Sequence, residues 1–116
     1  MDNTMAFNAT LEIKNNIAQI NLSGELDAST AQLFQNEVEA AATQNIKRLV
    51  LFMQDLKYLS SAGLRILIFA KQKMGTAVDI YIVGAQEMVK DTIEHTGFHY
   101  SVAMLDEYDE AEIKHV

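Results

Sequence analysis

Residues 7–14 alternate apolar and polar, with Phe7, Ala9, Leu11 and Ile13 on one side, as a half-buried strand does. Asn15-Asn16 is a turn signal, because asparagine tolerates positive φ. A second strand through Ile17, Ile20 and Leu22 then folds back as an antiparallel hairpin, with Gly24 as its expected end. Ser29 or Thr30 can cap the helix that follows by accepting from its orphan amides. Ala31, Phe34, Val38 and Ala41 recur at helical spacing, so they form the inward face; Gln32, Gln35, Glu39 and Thr43 form the other, and Asn45 is the expected stop.

Leu49–Met53 is a continuous apolar run of strand length, bounded by Arg48 and by Gln54-Asp55. That pattern predicts a central strand covered on both faces. A loop through Tyr58 and Ser60 is expected next, with Ser61 at a helix cap and a helix over Leu64–Lys73. On that helix Leu64, Leu67 and Ile68 are expected to face the sheet, leaving Ile66 and Phe69 nearer solvent; burial on two sides is the alternative. Ile80–Val83 is a further central strand, and Glu87–Thr96 a helix with Val89, Ile93 and Thr96 on one face. Gly97 ends it by taking the left-handed conformation. Tyr100–Leu105 is an expected short edge strand and Asp109–His115 a short last helix, with Ala111 or Ile113 inward. Two strands followed by helix–strand alternation predict a small α/β sandwich: a mixed sheet of four to five strands with about four helices.

The 116 residues suit one domain, residues 1–116, and the 49% hydrophobic share is ample for its core. With no cysteine, disulfides, thiolate metal sites and cysteine nucleophiles are excluded, and a reducing cytoplasm is the expected location. No apolar run approaches the ~20 residues of a membrane-spanning helix. A formal charge of -7 repels phosphate backbones, so no direct nucleic-acid partner is expected, and it favours a monomer in the free state. His95, His99 and His115 lack ligand-like spacing, and the acidic tail Asp106–Glu112 lacks the central glycine of a calcium loop. No nucleotide-binding glycine loop appears, so neither metal nor cofactor is expected.

Two segments carry candidate chemistry: Leu22–Asp27 with Ser29-Thr30-Ala31, and Asp55–Leu64. In the second, a strand feeds a helix N-terminus whose first amides lack intrahelical partners and carry partial positive charge. A phosphate is stabilised at such a place, and Ser61 is positioned to receive one covalently. Ala62 and Gly63 are small enough to let a partner approach the hydroxyl. The same residues also fit a plainer role, with Ser60 and Ser61 capping the helix and Gly63 allowing tight packing.

These segments resemble the STAS domain family, in particular the bacterial anti-sigma factor antagonists. Gly24-Glu25-Leu26-Asp27 with Thr30-Ala31 is similar to the family's first signature. Asp55-Leu56 followed by Tyr58-Leu59-Ser60-Ser61-Ala62-Gly63-Leu64 is similar to its phosphorylation loop, and Val89 and Ile93 before Thr96-Gly97-Phe98 are a weaker third echo. The resemblance implies a partner switch. A serine kinase of the histidine-kinase-like ATPase type, which is also the anti-sigma factor, phosphorylates the loop serine; the unphosphorylated antagonist binds it and frees the sigma factor; a metal-dependent serine phosphatase resets the cycle. Carried over, the acceptor is Ser61, with Ser60 as the second candidate, since family members often carry aspartate where this chain has Ser60. Asp27, Ser29, Thr30, Tyr58, Ser60, Ala62 and Gly63 are the expected partner-binding positions, joined by Arg65 and Phe69, one helical turn apart.

Two other classes bear on the same residues. A serine hydrolase elbow centred on Ser61 would need glycine at Leu59, and only Gly63 matches, so no enzyme is expected; His95 or His99 would be its base. Within the family, a scaffold or sensor module, or a cytosolic subunit of a transport system, would use the same fold without phosphorylation.

Overall fold

The computed structural model describes residues 7–109. In chain order the elements are β1 (Asn8–Lys14), β2 (Ile17–Leu26), α1 (Ala31–Ala42), β3 (Arg48–Leu59), α2 (Ser61–Met74), β4 (Asp79–Val83), α3 (Glu87–His95), a single 3-10 turn (Phe98–Ser101) and β5 (Ala103–Leu105). They form one mixed five-stranded sheet, within the four to five strands expected, and its strand order is β1-β2-β3-β4-β5. β1 runs antiparallel to β2, and every later pairing is parallel. Three α-helices stand among the described residues where about four were expected; the helix expected over Asp109–His115 falls outside them from residue 110 onward.

The hairpin turns on Asn15 and Asn16, at φ 52° and 68°, which is the backbone their side chains tolerate. β2 does not stop at Gly24. It continues to Leu26, because Gly24 takes φ 87° beside a register shift and lets the strand bend onward. β3 likewise outruns its apolar stretch and takes in Tyr58, which was expected in a loop. Against β2, Asn21 pairs with Phe52 but Ser23 with Asp55, and Gly24 pairs with Leu56 but Glu25 with Tyr58. Two extra residues in β3 break the two-residue alternation, so the inward positions become Met53, Leu56 and Leu59, every third residue.

All three helices cover one face of the sheet. Phe34 and Val38 of α1, Leu64 and Leu67 of α2, and Val89 and Ile93 of α3 share one buried cluster with Ala18, Ile20, Leu49, Leu51, Ile80 and Ile82. The strand residues between these point the other way. There Ile17, Val50, Tyr81 and Val83 form a second cluster, with Phe52 against Tyr108 at a ring separation of 5.3 Å. The continuous apolar run of β3 is thus buried on both faces, as its composition requires.

The face of α2 differs from the expectation in one pair. Ile66 is buried and Ile68 is 39% exposed, because α2 packs beside α1 as well as on the sheet. Phe69 is half-buried against the core, so burial on two sides is the better description. The expected edge strand over Tyr100–Leu105 shrinks to Ala103–Leu105: Gly97 at φ 80° turns the chain, and the Tyr100 amide donates to its carbonyl at 3.0 Å.

Phe34 is fully buried while its neighbour Leu33 is 51% exposed. Phe34→Ala is expected to cost about 3–5 kcal/mol in urea unfolding. Leu33→Ala is expected to stay within about 0.5 kcal/mol; similar losses for both would contradict this packing.

Candidate functional site

β2 and β3 remain paired to their ends, where Leu26 lies opposite Leu59. The Ser60 amide then donates to the Leu26 carbonyl at 2.9 Å, tying the start of α2 to the end of β2. Ser60, in extended backbone at ψ 174°, is the helix cap: its hydroxyl accepts from the Gly63 amide at 3.3 Å and its carbonyl from the Leu64 amide at 2.9 Å. Ser61, expected at the cap, is instead the first helical residue, one position further in. Its side chain is exposed, and among the described residues it makes no side-chain hydrogen bond. The two hydroxyls therefore differ in state, one engaged and one free.

Gly63 is buried, and its missing side chain has an internal explanation. A Cβ there would lie 2.6 Å from Leu26 Cγ and 2.8 Å from Leu59 Cδ1. The helix start can settle onto the two strand ends only because this position is bare. Of the positions expected around Ser61, Ala62 and Ser60 are half-buried, Arg65 is exposed, and Tyr58 is 43% exposed.

The first segment reaches the same end of the sheet as a closed turn. The Asp27 carboxylate accepts from the Ser29 amide at 2.9 Å and from the Ser29 hydroxyl at 2.7 Å. The Ser29 hydroxyl, with smaller help from the Ser29 amide and from Thr30, holds the Asp27 carboxyl below its ordinary value of 3.8. Thr30 accepts from the Asp27 amide at 2.9 Å and donates to the Glu25 carbonyl at 2.9 Å. Neither Ser29 nor Thr30 caps α1 with its side chain, contrary to expectation; Thr30 is at the cap position but its hydroxyl is spent on the end of β2.

Two surface features were not expected from the sequence: an exposed apolar pair, of which Ile68 was expected to face the sheet and Leu33 was not named, and a groove. Ile68 continues the exposed line of Ser61 and Arg65 along α2, and Leu33 is exposed in the first turn of α1, at the same end of the sheet. A spacing of four and then three from Ser61 was the available signal. The other is an open groove of about 370 Å³ between α2 and α3, lined by Ser61, Leu64, Asp91, Thr92, His95 and Thr96. Ser61, His95 and Asp91 are the residue types of a hydrolytic triad, but no hydrogen bond links any two of them. Among the described residues no group of three or more acidic or histidine side chains could hold a metal, and no helix is long and apolar enough to cross a membrane.

A family model for the STAS domain matches residues 8–111. The anti-sigma-F factor antagonist RsfB of Mycobacterium tuberculosis is 26% identical over 88 residues, 76% of this chain and 72% of that protein. The crystal structure of an anti-sigma factor antagonist from Mycobacterium paratuberculosis superposes with a TM-score of 0.85 at 21% identity, covering 94% of this chain and 95% of that one. The anti-sigma factor antagonist SpoIIAA in its unphosphorylated form gives 0.75 at 17% identity, covering 90% and 91%. The Bacillus SpoIIAA in its phosphorylated form gives 0.69 at 16% identity, covering 90% and 95%.

Three substitutions check the site's construction by chemical denaturation. Ser60→Ala is expected to cost about 0.5–2 kcal/mol as a lost cap. Ser61→Ala is expected to stay within about 0.5 kcal/mol. Gly63→Ala is expected to cost about 1–3 kcal/mol by overpacking against Leu26 and Leu59. Equal effects at the two serines would reverse the cap assignment. For Asp27 the folded value lies below the unfolded one, so its contribution is present above the unfolded value and is lost as pH falls through the folded one. The Ser29 amide resonance is therefore expected to titrate with a midpoint below 3.8.

Proposed function

The chain belongs to the STAS domain family, and from that premise we propose that it is an anti-sigma factor antagonist whose binding is switched by phosphorylation of Ser61. The single observation that carries this reading is the free, exposed hydroxyl of Ser61 at the first helical position, beside a Ser60 already committed to the cap. The names of the relatives support the general role, and a phosphorylated form of one structural neighbour supports the modification.

The step is phosphoryl transfer. The Ser61 oxygen attacks the γ-phosphorus of ATP held by a serine kinase of the histidine-kinase-like ATPase type, its proton passes to a base on that kinase, and the bond to the β-phosphate oxygen breaks to release ADP. That kinase is the anti-sigma factor itself, captured by the unphosphorylated form. A serine phosphatase reverses the modification with water, releasing inorganic phosphate.

Phosphorylation adds about -1.5 to -2 charges at one point. The protein tolerates the anion, since the Ser61 and Ala62 amides at the start of α2 have no acceptor among the described residues and lie at the positive end of the helix. A partner surface shaped for a neutral serine does not tolerate it, because an unmatched dianion must then be buried at a cost of several kcal/mol. Around Ser61 the exposed side chains of Ser29, Tyr58, Arg65 and Ile68 make up the proposed contact surface, next to the Asp27 turn. Gly63 and Thr30 serve it from inside, by packing and by closing that turn.

Ser61→Ala is expected to bind the cognate kinase constitutively and Ser61→Asp at least about tenfold more weakly in a calorimetric titration, a difference of about 1.4 kcal/mol. Incubation with that kinase and ATP is expected to add one phosphate to the wild type and none to Ser61→Ala by intact mass. Phosphate retained by Ser61→Ala would move the acceptor to Ser60 or elsewhere, and equal affinities would remove the switch.

A further inference from the structure

The groove between α2 and α3 has a consequence for the modified protein. Its α2 wall is Ser61 and Leu64; its α3 wall is Asp91, Thr92 and His95, with Thr96 just beyond. We propose that His95 is a second hold on a phosphate carried by Ser61, reaching it across this groove, and that Asp91 opposes that hold. The proposal rests on Ser61 being the phosphate acceptor.

The argument is one of placement and charge. A phosphoserine oxygen extends away from the α2 backbone, and the space open to it beside Ser61 is bounded on the far side by the α3 side chains. Ser61, Asp91 and His95 are all exposed, so the charges meet across an open, solvated groove and their attraction is modest. His95 is the one side chain of the lining that can be cationic, and Asp91, one turn earlier on the same helix, is the one carboxylate. Before modification α2 brings no charge to the groove; afterwards it brings a dianion. Arg65 on α2, Glu94 on α3 and His99 on the 3-10 turn are outside the lining. An imidazolium attracts a phosphate that carries either one or two negative charges, and the dianion more strongly.

The hold also sets a direction for regulation. A phosphate tied to its own protein is less available to a phosphatase. Asp91 keeps the hold weak enough to be reversible, since a carboxylate in the same groove repels the dianion and competes for the imidazolium.

The test uses full-length protein carrying phosphoserine encoded at position 61, followed by 31P resonance against pH. The phosphate midpoint is expected to lie about half a unit or more lower in the wild type than in His95→Gln, a modest effect for an opposite charge across the groove. His95→Lys is expected to restore the low midpoint, and Asp91→Asn to lower it further. Amide spectra establish that each variant is folded, and both positions are exposed. Coincident midpoints in wild type and His95→Gln overturn the proposal, as does a Lys variant that behaves like Gln. No kinase or partner enters this experiment, so its failure leaves the partner switch at Ser61 standing, and failure of the switch leaves this electrostatic reading measurable.

Discussion

The close approach of α2 to the ends of β2 and β3 is the constraint on which the end of the sheet that carries Ser61 depends. Leu26 and Leu59 face each other at the last register of the parallel pair. Gly63 sits so near both that no side chain fits. A helix can begin there only if its third residue is bare, and beginning there exposes the residue two positions earlier. The internal packing of a glycine and the external presentation of Ser61 are one geometric fact, seen from opposite sides.

The helix start divides labour between adjacent serines. Ser60 satisfies an amide that would otherwise lack a partner, and in doing so occupies its own oxygen. Ser61 inherits the exposed position with an oxygen free for chemistry. Aspartate, which the family resemblance expects where Ser60 stands, is also a preferred cap. Serine at position 60 therefore caps the helix without placing a fixed negative charge next to Ser61.

The two faces of the sheet make unequal contributions. Helices cover one face and supply every wall of the groove beside Ser61. The opposite face carries its own apolar cluster and lies away from the site. The Asp27 turn, held by Ser29 and Thr30, belongs to neither layer. It is fastened instead to the strand end by the Thr30 hydroxyl, which gives the surface around Ser61 a second ordered edge without burying a charge.

Local chemistry settled much of this molecule in advance. The hairpin at Asn15-Asn16, the inward stripe of α1, the doubly buried run Leu49–Met53 and the stop at Gly97 each follow from a preference that acts over a few residues, so the chain alone determined them. The extent of β3 did not follow, because two extra residues convert alternation into a three-residue repeat, and the polar pairs between Met53, Leu56 and Leu59 look like loop until a partner strand is beside them. The same holds for which serine caps α2, for the exchange of Ile66 with Ile68, and for the groove that unites Ser61 with His95. Those are relations between segments distant in the chain, where packing against a neighbour outweighs any intrinsic preference, and only the assembled layers could decide them.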